Sequence, residues 1–260
     1  MHFSDGKVSK FFVVLFVRVA LLIILVSLIG CGKKTHNQAN NSSQSSRLTY
    51  SLFDISDSTK NKRGRYFRDF KKIVVEKSPG DETFMGDLIT SNSIATSNLP
   101  LNITLPASNW NTNPYDFEDL KKSIDDQAYD IIYQKPPTKV QRTDLMNAFQ
   151  LAENMFSGSD ATSKRLIVFS DMIEQSGRYN FYAESFTDGR TAEILKAERT
   201  DNRLPNLKGV EVWVDGAGAN ENPLPPGKLR GIEKFWNKYF QACGADLKKY
   251  RYSSALINYN

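Results

Sequence analysis

The sequence predicts an α/β fold: a Rossmann-like, doubly wound, mostly parallel sheet with helices on both faces. Three observations predict it. Short β-rich runs alternate with amphipathic helical stretches, the pattern of strands joined by crossover helices. The run Arg165–Phe169 (RLIVF) has the continuous apolar character of a strand covered on both faces. No low-complexity break or internal repeat interrupts residues 48–260, so that whole stretch reads as one domain.

The elements follow in order. Leu48–Phe53 (LTYSLF) reads as a strand. Ser58–Val75 is a basic helix with Tyr66, Phe67, Phe70, Ile73 and Val74 at helical spacing, ended by Pro79-Gly80. Residues 84–112 are ambiguous, with short strands open at 87–90 and 101–105. Asp116–Tyr129 reads as a helix carrying Phe117, Leu120, Ile124 and Ala128 on one side, and Pro136-Pro137 marks a loop. Asp144–Phe156 is a second helix, with Leu145, Ala148, Phe149, Ala152 and Phe156. After the Arg165–Phe169 strand come a helix over 192–199 and a strand at Val210–Val214 (VEVWV). Leu229–Cys243 is an amphipathic helix stopped by Gly244. Tyr250–Ile257 is expected to close the sheet as an edge strand.

Composition removes whole classes of function. With 40% apolar and 24% charged residues the chain is neither collagenous, coiled-coil nor wholly disordered. Two cysteines exclude a disulfide-dense scaffold. The two histidines, His2 and His36, both precede the predicted domain, which excludes a Ser-His-Asp triad, a Cys-His dyad and a histidine zinc site within it. A formal charge of +5 is mild, and no nucleic-acid partner is expected from it.

The first thirty residues read as an address. Lys7, Lys10 and Arg18 make the segment positive, and Val19–Gly30 is a clean apolar run ending Leu28-Ile29-Gly30-Cys31. Its length suits a signal-peptide core better than a membrane span. The ending resembles the lipobox of bacterial lipoproteins, in which the cysteine is lipidated and becomes the new N-terminus. The resemblance implies a signal peptide over 1–30, lipidation with acyl chains such as palmitate at Cys31, and an exported protein anchored to the membrane. Gly32 after the cysteine implies the outer membrane in a Gram-negative host. An uncleaved signal anchor is the alternative. Residues 31–47, polar and nearly free of apolar side chains from His36 to Arg47, read as a flexible stalk. Lys33 and Lys34 stand beside the lipid site, within reach of anionic headgroups.

In a parallel sheet the functional loops lie at the C-terminal ends of the strands. Asp54-Ile55-Ser56-Asp57-Ser58 follows the first strand, Ser170-Asp171 follows the Arg165–Phe169 strand, and Arg142-Thr143-Asp144 precedes a helix. Carboxylate and hydroxyl oxygens of this kind suit a hard divalent cation, Mg²⁺ or Mn²⁺. Taken singly, each residue also reads as an ordinary cap or turn. Together they resemble the von Willebrand factor A family, which carries D-x-S-x-S after its first strand, a threonine at a helix start and an aspartate after a later strand. The resemblance implies a metal-ion-dependent adhesion site made of Asp54, Ser56, Ser58, Thr143 and Asp171. It implies that both serines and the threonine ligate directly and that the aspartates act through water. It also implies that an acidic side chain of a protein partner completes the metal's shell. Met172 stands after Asp171 where the family commonly has glycine.

Other motifs carry less. Gly32-Lys33-Lys34-Thr35 lacks the strand and leading glycine of a phosphate loop, and Asp215-Gly216-Ala217-Gly218 lacks the third glycine of a dinucleotide fingerprint and is expected to be a flexible loop near the metal face. Arg63, Arg65, Arg68, Lys71 and Lys72 are expected on a solvated helix face. Trp213 and Trp236 are expected in the core, and Cys243 as a buried, inert thiol. The resulting expectation is a membrane-tethered binding module of the cell envelope and not an enzyme. A Mg²⁺-dependent hydrolase and a metal-free structural lipoprotein subunit are the alternatives.

Overall fold

The computed structural model describes residues 46–109, 111–134, 142–218, 224–256 and 259. The signal segment, Cys31 and the stalk up to residue 45 lie outside the described residues, as does the Pro136-Pro137 loop. The strands are β1 (Arg47–Asp54), β2 (Glu82–Ile89), β3 (Leu101–Leu105), β4 (Ser163–Phe169), β5 (Val210–Asp215) and β6 (Tyr252–Ser253). They form one sheet in the order β3-β2-β1-β4-β5-β6. Every neighbouring pair is parallel except β2 and β3. This is an α/β, doubly wound sheet, as the sequence predicts.

Among the described residues, five α-helices of seven residues or more cover the two faces: α1 (Arg63–Asp69), α3 (Pro114–Tyr129), α4 (Leu145–Ser157), α5 (Asp188–Thr200) and α6 (Pro226–Ala242). A short α2 (Ser93–Thr96) joins β2 to β3. Strand alternation sends successive side chains into different layers. Leu48, Tyr50 and Leu52 of β1 join Leu166, Val168, Val212 and Val214 in the core under α4, α5 and α6. Phe53, Ile167, Phe169 and Trp213 enter the opposite core with Tyr66 and Phe70 near α1 and Phe117 and Ile124 of α3. Phe53 and Phe169 stack at 5.0 Å there. Trp236 is fully buried and Trp213 nearly so.

Several boundaries differ from the sequence reading. β2 begins at Glu82 and so reaches back over the ambiguous stretch, because Gly86 and the polar Glu82 and Thr83 mask its period. The edge strand expected at 250–257 shrinks to Tyr252–Ser253, since Lys249–Arg251 forms a 3₁₀ turn and leaves two residues to pair with Val214 and Asp215. The predicted helix at 58–75 is irregular. It runs as a 3₁₀ turn Asp57–Lys62, then α1, then a π-helical segment Phe70–Val75.

Ser46 is already part of the domain. Its carbonyl accepts from the Ser163 amide at 3.0 Å, and its amide donates to Asp81 at 3.0 Å. The chain therefore enters at the N-terminal ends of the strands.

Candidate metal centre

In this strand order β1 and β4 are adjacent, and the crossovers leave them in opposite directions. A crevice opens outside their C-terminal ends, where doubly wound folds bind ligands. Asp54 ends β1 and Ser170-Asp171 follows β4, in a register that sets Phe53 opposite Phe169. Asp54 is fully buried, and Ser56 and Asp171 are 3% and 2% exposed. The Ser170 hydroxyl donates to Asp54 Oδ2 at 2.7 Å and the Ser56 amide to Oδ1 at 2.9 Å. The Ser56 and Ser58 hydroxyls lie 3.1 Å apart. Asp54, Ser56, Ser58 and Asp171 thus gather at one strand-end crevice.

Thr143 lies beside the loop that follows β4. It is 3% exposed and exchanges two backbone hydrogen bonds with Gln175, four residues past Asp171. The Asp144 amide donates to the carbonyl of Thr90, at the end of β2, and Ser93 Oγ donates to the Asp144 carbonyl at 2.9 Å. Asp144, not Thr143, caps α4, accepting from the Asn147 amide. Ser56 occupies the N-cap position of the 3₁₀ turn yet makes no side-chain cap bond. Neither Ser56 nor Thr143 spends its hydroxyl as a cap.

The loop after β4 is strained where the sequence departs from the family. Met172 has φ 62°, a conformation that favours glycine. It is held there by its amide, which donates to Ser170 Oγ at 3.0 Å, and by Trp236 Nε1, which donates to its carbonyl at 2.8 Å. The Asp171 carboxylate accepts from the Ile173 amide at 3.1 Å through Oδ1, while its Oδ2 is buried and has no hydrogen-bond partner among the described residues.

The electrostatics follow from burial. Burial pushes Asp54 up to about 6, helped by the charge on Asp171 and opposed by the hydrogen bonds from Ser170 and Ser56. Burial also raises Asp171, against the Lys62 ammonium, the Ser58 hydroxyl and the Ile173 amide. Glu174 is fully buried and pushed up to about 8 chiefly by that burial. It accepts from the Leu145 and Met146 amides at 2.7 and 3.3 Å at the start of α4.

Among the described residues no group of three or more histidine, cysteine, aspartate or glutamate side chains is placed to hold a metal. The centre is instead a set of two carboxylates and three hydroxyl residues. That set fits a hard divalent cation that keeps several waters, and it offers nothing to a thiophilic metal. The orphaned Asp171 Oδ2 is the specific feature that a cation or its water would satisfy.

Two expectations need correction. The Asp215-Gly216 stretch is packed and not a flexible loop. Asp215 is fully buried, and a Cβ on Gly216 (φ +113°) would collide with Tyr66 Oη. The basic helix face is only partly solvated. Arg65 pairs with Asp215 at 3.2 Å and Lys71 with Asp125 at 3.0 Å, while the Arg63 guanidinium donates to the Ile55 and Ser56 carbonyls. The sequence reading noted Ser170 beside Asp171 without giving it a role, and it missed Lys62 and Tyr182, whose raised phenol comes chiefly from burial and then from the Asp171 charge. Ser170 was legible as the residue beside Asp171. Lys62 was legible from its three-residue spacing to Thr59. Tyr182 carries no local signal. Cys243 is buried, and burial raises its thiol, as expected of an inert one.

Sheet order and helical layers are consistent with a von Willebrand factor A-like fold. No protein-family model matches the chain, and no curated protein matches it. Among solved structures, it is similar to an aerotolerance-related membrane protein from Bacteroides fragilis NCTC 9343 with multiple mutations to serines. The identity is 15%, over 74% of this chain and 88% of that one, with a TM-score of 0.38. It is also similar to the N-terminal domains of the type V pili tip protein Mfa5 from Porphyromonas gingivalis, at 12% identity over 69% of this chain and 29% of that one, TM-score 0.34. A third is proximal thread matrix protein 1 from the mussel byssus, at 16% identity over 76% and 47%, TM-score 0.36. The fold assignment rests on the sheet and its layers. No helix among the described residues is long and apolar enough to cross a membrane.

Proposed function

We propose that this chain is a membrane-tethered, divalent-metal-dependent protein-binding module of the cell envelope, and not an enzyme. Ser56, Ser58 and Thr143 would hold Mg²⁺ or Mn²⁺, with Asp54 and Asp171 behind water. The cation would supply an electrophilic point for an acidic side chain of a protein partner. The observation that carries this reading is the buried, unpartnered Asp171 Oδ2 beside a second buried carboxylate at the switch-point crevice. Two carboxylates so placed repel each other until a cation joins them. The chain's own residues do the rest. Ser170 fixes the Asp54 carboxylate, and Thr59 Oγ1 ties the Asp54 and Ser56 carbonyls at 2.7 and 3.0 Å, so the serine loop is organised before any ligand arrives.

The tether belongs to the same proposal, with Cys31 as the lipidated residue and residues 31–47 as the stalk. More than one acyl chain gives stable anchoring where a single chain is marginal. Calorimetric titration of Mg²⁺ and Mn²⁺ into the purified protein tests the metal reading. One saturable site is expected in the parent and none in the Ser56→Ala/Ser58→Ala variant or in Asp171→Ala, both still folded. No heat in the parent would instead favour a metal-free structural subunit.

A further inference from the structure

The centre contains a cation that its motif does not include. Lys62 closes the 3₁₀ turn after the serine loop and is only 4% exposed. Residues three apart eclipse one another in a 3₁₀ turn, so Lys62 follows Thr59 on the inward side. Thr59 already faces the site, since its hydroxyl touches the Asp54 and Ser56 carbonyls. One turn further, Tyr66 is buried too, with Asp54, Asp171 and Asp215 all acting on its hydroxyl. The Lys62 ammonium acts on Asp171, yet Lys62 forms no ion pair among the described residues. The neighbouring cations are committed elsewhere: Arg63 to the Ile55 and Ser56 carbonyls, Arg65 to Asp215.

We propose that Lys62 couples metal entry to entry of the acidic ligand, so that each tightens the binding of the other. The inference rests on the metal-dependent reading above and adds its regulation. Ionised Asp54 and Asp171 contribute two negative charges, and Lys62 leaves a net of one. A divalent cation alone then overshoots to a net positive centre in a buried crevice, and Arg63 adds potential of the same sign. A carboxylate from outside restores neutrality. Without Lys62 the cation alone would neutralise the two aspartates, and a carboxylate would bring surplus negative charge. A unit charge at a buried site changes such a binding constant by about tenfold or more.

The test uses the full chain in detergent micelles and reads bound Mn²⁺ from loss of the free-ion paramagnetic resonance signal. Sodium chloride and sodium acetate are compared at equal ionic strength, each against a protein-free blank. The parent should bind Mn²⁺ weakly in chloride and several-fold more tightly in acetate. Lys62→Met retains the apolar packing of the stem. It should bind about tenfold more tightly than the parent in chloride and gain nothing from acetate, while Lys62→Arg tracks the parent. Equal affinity of Lys62→Met and the parent, with the acetate gain intact in both, would overturn the coupling and leave the metal site standing. No signal loss with any protein in either salt would refute the metal reading and the coupling together. Circular dichroism checks the fold, and Lys62→Gln carries the same comparison if Lys62→Met does not fold.

Discussion

Asp54, Asp171 and Glu174 are buried carboxyl groups within one strand-end region, and each is held above its ordinary range by that burial. Their effect on stability has a definite sign. Glu174 is ionised in the unfolded chain above the ordinary carboxylate range but stays protonated in the fold up to about pH 8. The unfolded state therefore binds fewer protons across that window, and stability falls as pH rises through it. Urea unfolding with chelator present, at pH 5 and pH 8, should show this loss in the parent. Glu174→Gln still accepts from the Leu145 and Met146 amides and should lose less, by roughly 1–3 kcal/mol. A loss of equal size in both proteins would show that Glu174 does not titrate in this window. Asp54 adds to the same slope up to about pH 6, and a bound divalent cation would reverse its contribution by holding both aspartates ionised.

At the scale of elements, the loop after β4 is what the helices hold in place. Trp236 of α6 is fully buried, lies edge-on to Phe149 of α4 at 5.5 Å, and reaches the strained Met172 carbonyl through its indole N–H. Trp236→Phe keeps most of the packing and loses that bond. It should cost about 1–2 kcal/mol in urea unfolding and weaken Mn²⁺ binding through the displaced Asp171 loop. A stability loss with unchanged Mn²⁺ affinity would mean that α6 does not position the loop. The sequence made the regular elements legible where the hydrophobic period was strong, as in α4, β4 and α6. It blurred β2, where Gly86 and polar residues interrupt the pattern, and it overran β6, where a 3₁₀ turn replaces half the strand. The gathering of Asp54, Ser56, Ser58 and Asp171 was legible because those residues stand at or just after the ends of two adjacent strands. Met172's left-handed backbone was not, because only the tertiary bonds from Ser170 and Trp236 impose it on a residue that would otherwise avoid it.

For the whole molecule, entry of the chain and the candidate centre lie at opposite ends of the sheet. Ser46 meets the N-terminal ends of β1, β2 and β4, whereas Asp54 stands eight residues on at the C-terminal end. At the rise of an extended strand the separation is about 26 Å. Cys31→Ser should abolish labelling by radioactive palmitate and release the protein from the membrane fraction, and retention of membrane association without label would indicate an uncleaved signal anchor instead. The most direct measurement is an anomalous-difference map from crystals grown with Mn²⁺. A single strong peak should appear among the Ser56, Ser58 and Thr143 hydroxyls, with Asp171 Oδ2 turned toward a water in its shell. A map with no peak there, and Asp171 Oδ2 hydrogen-bonded to protein alone, would contradict the metal centre and reduce the five residues to scaffolding.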